Sequence, residues 1–454
     1  MRSRLLLVFY KHIFMRNLIL AFFLIAVLSP ASAQDKPIKI LRNDQGGYFL
    51  LVDDKPFMMK GIGYNPTPIG EGYDYYLFTD ENKPWAIDGK LMQEMGINCI
   101  RVYSASKDLD KVKEFIEYMH NNFGIYTIVS DWLGLWSNTY TNYADETFRN
   151  QTKDRIIKMV QALKDTKGLL IWNLGNENNY TFSGTIGFWT STEIEQIQDP
   201  YQKILKKAEV YYSFVNDLAK EIKKIDTVHP VALGNGEANF LDIAAKVCPD
   251  IDALSIIVYR GKKFGNLFDN IRRFFDKPIF LSEFGCDSYN AYKNEEDQDI
   301  QTKFIIAQWQ DLYKNTIAGN NPNGNILGGI IFEWNDEWWK HNEGYAKDWK
   351  THNLEAGWSN GAYYFDNRAE NNLNMNEEWF GIVSLSEETE DGVNKRIPKQ
   401  SYYGLKNFFS SISNTTAEES IKAAEKIPVP NAATNATTPT AANITENTST
   451  QGEL

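Results

Sequence analysis

Short apolar runs and longer amphipathic stretches alternate along most of this chain. The apolar runs are Phe57–Gly63, Ile97–Tyr103, Ile125–Asp131, Leu169–Leu174, Pro230–Gly234, Ala253–Val258, Pro278–Phe284 and Leu327–Phe332. Most carry no polar alternation, the pattern of parallel strands covered on both faces. Leu109–Asn122 between them places Val112, Phe115, Ile116 and Met119 at helical spacing. Arg155–Leu163, Ala208–Ile225, Phe240–Val247, Leu267–Phe275 and Thr302–Asn315 follow the same rule. Eight strands alternating with helices predict an α/β fold, a (β/α)8 TIM barrel. A doubly wound open sheet is the competing architecture. It favours a glycine-rich first strand-to-helix turn, and Gly61-Ile62-Gly63-Tyr64-Asn65-Pro66 is not that fingerprint.

The flanks differ from this rhythm. Ile38 to Phe57 alternates apolar and polar residues around two turn signals, which predicts a small N-terminal β-hairpin over residues 34–57, set as a lid ahead of the barrel. The catalytic barrel domain is expected over residues 58–412, closed by a last helix ending near Phe409. From about Ser413 aromatics vanish and Thr, Asn, Ala, Pro and Glu dominate, so residues 413–454 read as a disordered low-complexity tail. Three long connections, Leu133–Asn150, Asn178–Gln198 and Trp334–Trp379, follow strands three, four and eight, where they would wall a cleft.

Residues 1–33 read as a signal peptide. Met15-Arg16-Asn17 opens a basic segment, Leu18 to Leu28 is unbroken apolar, and Ala31-Ser32-Ala33 fits a cleavage site. An apolar run of that length is too short to span about 30 Å of hydrocarbon as a helix, so no stable membrane span is expected after cleavage. Removing this segment, which holds Arg2, Arg4, Lys11 and Arg16 and no acids, takes the formal charge from −12 to −16. An acidic exported protein, secreted or in the cell envelope, is implied. Binding to nucleic acid is disfavoured, because it relies on basic residues neutralising phosphates. The five histidines show no metal-ligand spacing and no phosphate-binding loop is present, so neither a metal nor another cofactor is expected. Cys99, Cys248 and Cys286 are too few for a disulfide scaffold.

The chemistry is carried by Trp172-Asn173-Leu174-Gly175-Asn176-Glu177 and Leu281-Ser282-Glu283-Phe284-Gly285. Each puts a glutamate at or near the end of an apolar strand, and in a TIM barrel those ends form the active-site rim. Two carboxylates there suit a retaining glycosidase, with one as acid/base and the other as nucleophile. Aromatics make up 14% of the chain, enough both to fill a core and to line a sugar cleft. Glu237, Glu333, Asp336 and Glu337 also lie near strand ends and rank as substrate or loop contacts.

These runs, with Gly61-Ile62-Gly63-Tyr64 and Gly96-Ile97-Asn98-Cys99-Ile100-Arg101-Val102-Tyr103, resemble the retaining β-glycosidases of the large (β/α)8 clan. The nearest likeness is to the barrel domain of glycoside hydrolase family 2. A second is to the β-1,3-glucanosyltransferases, through Ile100-Arg101-Val102-Tyr103 and Ser282-Glu283-Phe284-Gly285-Cys286. The resemblance implies Glu177 as acid/base and Glu283 as nucleophile. It implies further that Asn176 binds a sugar 2-hydroxyl, Arg101 keeps the nucleophile ionised, Tyr259 contacts it, and Trp334 is the platform under the sugar. Trp132, Trp136 and Tyr64 are candidate subsite walls. The pattern departs at Ile257, where the resembling families often carry Asn. The implied substrate is a β-linked, glucan-like oligo- or polysaccharide, hydrolysed or transferred through a glycosyl-enzyme. The alternative from another class is a non-catalytic carbohydrate-binding barrel of the cell envelope.

Overall fold

The computed structural model describes residues 37–135, 140–290, 293–340, 347–354, 359–360 and 374–412. The expected signal peptide, the expected tail and Trp136 lie outside the described residues. Eight parallel strands close into a barrel: Met59–Gly63, Cys99–Val102, Tyr126–Asp131, Leu169–Leu174, Val231–Gly236, Ala253–Ile257, Ile279–Phe284 and Ile326–Ile331. They pair in sequence order, and the eighth returns to the first through Gly328 opposite Met59. Strands four, five, seven and eight are buried at every position, as their unbroken apolar runs require.

The helices form where the spacing places them. Leu109–Phe123 buries Val112, Phe115, Ile116 and Met119. It stops at Gly124, whose positive φ of 69° lets its N–H turn back to the His120 and Met119 carbonyls. Pro200–Ile225 starts with proline just inside an Asp199 cap, whose carboxylate accepts from the N–H groups of Tyr201 and Gln202. Among the described residues no helix is long and apolar enough to cross a membrane.

The N-terminal segment is a three-stranded antiparallel sheet, Lys39–Arg42, Tyr48–Val52 and Lys55–Pro56. It plugs the barrel rather than roofing the active-site face. Leu50 and Val52 pack with Met59, Cys99, Leu170, Ala253, Phe280 and Leu327, which lie at the starts of the barrel strands. The rim formed by the strand ends therefore lies at the opposite mouth.

Two elements escape the hydrophobic pattern, and one ion pair explains both. Helix Trp85–Met95 carries Asp88 on its buried face, alongside Trp85, Met92 and Met95. A β-hairpin, Val383–Glu390 and Val393–Pro398, turns at Asp391-Gly392 with φ of 51° and 79°. It carries Arg396 to Asp88, with Nε at 2.8 Å and Nη2 at 3.1 Å from the carboxylate oxygens. Both side chains are nearly solvent-free, and the Tyr64 hydroxyl donates to the same carboxylate at 2.8 Å. Removing one partner of such a pair strands a buried charge. Asp88→Ala is expected to cost about 3–5 kcal/mol. Urea unfolding would read this as a lower midpoint at unchanged slope, and a loss below about 1 kcal/mol would contradict it.

Candidate active site

Arg101 is the hub of the barrel mouth. It lies on the second strand and is 0% exposed. Its guanidinium donates to Ser130 Oγ at 3.1 Å, to the Ser282 carbonyl at 3.1 Å, to Glu283 Oε1 at 2.8 Å and to Asn176 Oδ1 at 2.7 Å. One cation thus ties together strands two, three, four and seven. A planar fork suits this, since it reaches several acceptors from one rigid group.

Glu283 projects from the seventh strand and is 7% exposed. Its other oxygen accepts from the Tyr259 hydroxyl at 3.2 Å. Burial pushes its carboxyl up, while the Arg101 guanidinium, the Tyr259 hydroxyl and the Lys340 ammonium pull it back.

Glu177 follows the fourth strand through a turn built on close approach. Gly175 has φ of 83°, and a Cβ on Gly234 of the fifth strand would meet the Gly175 carbonyl oxygen at 2.3 Å. Glycine at both places lets the Asn176–Glu177 segment fold over the barrel mouth. Asn178 locks it: Oδ1 accepts from the Asn176 N–H at 2.7 Å, and Nδ2 donates to the Trp132 carbonyl at 2.9 Å and the Tyr143 hydroxyl at 2.6 Å. Glu177 is only partly buried as a residue, yet its carboxyl is enclosed. Burial pushes it up to about 8, and the charges of Glu283 and Glu377 add to the effect. The mouth therefore holds one carboxyl that favours the neutral form beside one held against a guanidinium. Such a divided pair can supply a proton and a nucleophile at one pH.

The structure brings together Arg101, Asn176, Glu177, Tyr259 and Glu283 from strands that are far apart in sequence. Trp132 lies at the edge of this group, half-buried, its indole N–H without a hydrogen-bond partner among the described residues. Tyr64 and Trp334 lie elsewhere, a correction to the expected cleft roles. Tyr64 is 0% exposed, its ring stacked on Phe115 and its hydroxyl held by Asp88. Trp334 is also 0% exposed, its backbone bonded to Gly63 and Val383. Neither ring offers a face to a sugar. The aromatic that reaches the mouth from the eighth strand is Phe332, whose ring meets Tyr103, Tyr259 and Phe380 at 6.4, 6.5 and 5.6 Å.

Tyr103 and Asn178 are site residues that strand-end carboxylates alone do not reveal. The Tyr103 ring lies under the Arg101 guanidinium at 4.6 Å. Its hydroxyl faces Glu283 and helps hold that carboxyl down, without a well-aligned partner. The signal for each was adjacency: Tyr103 ends the second-strand run, and Asn178 follows Glu177.

Comparison with known proteins places the chain in a family. A family model described as glucanosyltransferase matches residues 28–337. The 1,3-beta-glucanosyltransferase GAS4 of Saccharomyces cerevisiae is 24% identical over 313 residues, which is 63% of this chain and 57% of that protein. The 1,3-beta-glucanosyltransferase gas4 of Schizosaccharomyces pombe is 22% identical over 342 residues, 71% of this chain and 65% of that one. The chain thus spans less than two thirds of the length of these relatives. Beta-glucuronidase 2 of Bacteroides uniformis shares the barrel with a TM-score of 0.53 over 82% of this chain and 37% of its own, at 15% identity. That likeness concerns the fold alone. The sequence matches therefore favour the second of the two resemblances read from the motifs. The matched stretch holds every barrel strand and both strand-end glutamates, and the chain belongs to the glucanosyltransferase family, glycoside hydrolase family 72.

Proposed function

We propose that this protein is an exported retaining enzyme that cleaves a β-1,3-glucan and transfers the freed segment to another glucan chain. The observation that carries the reading is the division between the two carboxyls. Glu283 is bonded to Arg101 at 2.8 Å and to Tyr259 at 3.2 Å, while Glu177, which has no ion pair among the described residues, is pushed up to about 8. In the first step the Glu283 carboxylate attacks the anomeric carbon. The glycosidic C–O bond breaks, and its electron pair leaves on the aglycone oxygen, which takes the Glu177 proton. In the second step an acceptor hydroxyl attacks the same carbon, gives its proton to Glu177, and displaces Glu283. Two inversions retain the β configuration. Asn176, held by Arg101 and by Asn178, is positioned for the sugar 2-hydroxyl.

The named activity of the matched relatives supports transfer over hydrolysis. The apolar segment Leu18 to Leu28 with its small-residue boundary supports export. Incubation with linear β-1,3-gluco-oligosaccharides tests the reading. Products longer than the substrate, with β linkages by NMR, are expected. Only shorter products would reduce the enzyme to a hydrolase, and an inverted anomer or no turnover would sink the mechanism.

A further inference from the structure

The fifth and sixth strands end in a clamp that the mechanism above does not use. Glu237 directly follows the fifth strand, and Arg260 directly follows Tyr259. Arg260 Nε donates to the two Glu237 carboxylate oxygens at 2.9 and 3.1 Å, and Nη2 donates to the second of them as well. The side chains are only 12% and 14% exposed, so water screens the pair little. Nη1 donates to the Phe264 carbonyl at 2.9 Å, which closes the loop that Tyr259 opens. A carboxylate gripped by a planar guanidinium in this way is fixed in orientation as well as distance.

The clamp is anchored on both sides. Glu237 has φ of 54°, an uncommon value for a residue with a side chain, and backbone bonds hold it there. Its N–H donates to the Ile257 carbonyl at 2.9 Å, and its own carbonyl accepts from Asn235 Nδ2 at 2.9 Å. Gly236 exchanges two bonds, at 2.7 and 2.9 Å, with the side chain of Asn179, two residues past Glu177. On the far side the Val258 N–H donates to the Glu283 carbonyl at 3.0 Å, and the Tyr259 hydroxyl donates to the Glu283 carboxylate at 3.2 Å. That last bond is long for a hydroxyl on a carboxylate, where about 2.5–2.7 Å is usual, so a small retreat of Tyr259 breaks it. The ring has only edge contacts with Phe332 and Phe380, at 6.5 and 5.7 Å, to hold it.

We propose that Glu237 is a positioning residue, which through its grip on Arg260 holds the Tyr259 hydroxyl against Glu283, an inference that rests on the reading of Glu283 as the nucleophile. Its carboxylate is committed to Arg260 and acts on the reaction only through Tyr259. The Glu283 carboxyl is held down by Arg101, Tyr259, Lys340 and Tyr103. Loss of Glu237 removes the Tyr259 bond and leaves the other three groups in place, so the carboxyl rises. Glu283 attacks only when ionised. The acid limb of kcat/KM against pH therefore moves to higher pH.

The test measures kcat/KM against pH for linear β-1,3-gluco-oligosaccharides, using the full chain as wild type, Glu237→Ala, Tyr259→Phe and the double variant. Glu237→Ala should move the acid limb upward and lower kcat/KM on that limb by about tenfold or more, the scale of one lost hydrogen bond to a charged group. Tyr259→Phe should move the limb in the same direction. The double variant should lie within about twofold of Tyr259→Phe, because both substitutions remove one interaction. Glu237→Gln keeps the shape and weakens the grip; it should show the same upward movement and serves if Glu237→Ala does not fold. A support role alone would lower stability and leave the limb in place. An acid limb that stays or moves to lower pH, or losses that multiply in the double variant, overturns the inference and leaves the glucan reading intact. No turnover by the wild type overturns the glucan reading, and the inference falls with it.

Discussion

Glu283→Gln is expected to lower glucan turnover by on the order of 10⁶-fold, the scale seen when a covalent nucleophile is removed. The substitution keeps the shape of the side chain. A Gln oxygen can still accept from Arg101, so the hub that joins Arg101 to Ser130, Ser282 and Asn176 stays bonded. What is lost is the charge that attacks the anomeric carbon. Trapping by a 2-fluoro β-glycoside, followed by peptide mass spectrometry, should label Glu283 in the wild type and nothing in the variant. Label on any other carboxylate would move the nucleophile there. The variant should also shift Glu177. The Glu283 charge is among the causes that push that carboxyl up, so its removal lets Glu177 ionise at lower pH.

Glu177→Gln carries the second large effect. Loss of a general acid and base is expected to cost roughly 10²–10⁴-fold in turnover. The loss should be smaller with a leaving group that needs no proton, such as a dinitrophenolate. A uniform loss across leaving groups would argue that Glu177 binds rather than protonates. The wild-type rate should fall on the alkaline side with a midpoint near about 8, where the acid loses its proton. The same group links stability to pH. Its folded value lies above its ordinary 4.5, so the folded state holds this proton more tightly than the unfolded chain. The stabilisation is complete below about 4.5 and is lost as pH rises through about 8. Thermal unfolding of wild type and Glu177→Gln at pH 5 and pH 8 checks the sign. The wild-type Tm should fall relative to the variant as pH rises, and an opposite trend would remove Glu177 from the role of buried acid.

The strands were legible because a parallel barrel buries both faces of each one, and burial writes itself as an unbroken apolar run. Leu169–Leu174 is the same span by pattern and by structure. Helix Trp85–Met95 was not legible, because its buried face carries Asp88. That residue is tolerated inside only through Arg396, more than three hundred positions away. The N-terminal sheet was legible as strands but not in its place. Nothing local tells Leu50 and Val52 that they will fill the closed end of a barrel.

The site divides in the same way. A glutamate at the end of an apolar strand breaks the pattern that built the strand, and Glu177 and Glu283 stand out in the sequence for that reason. Adjacent aromatics carry no such mark. Phe332 and Trp334 lie two apart at the end of one strand, and Trp334, the larger ring, is the one drawn into the core between Gly63 and Val383. Tyr64 is likewise captured by Asp88 and Phe115, while Tyr103 turns to Arg101 and Glu283. The sequence by itself determined the barrel, the order of its strands and the two carboxyls at its mouth, because local periodicity and its interruptions encode them. Only the tertiary structure decided which rings face the cleft and which carboxyl keeps its proton. Those properties depend on burial and on charges brought close from remote parts of the chain.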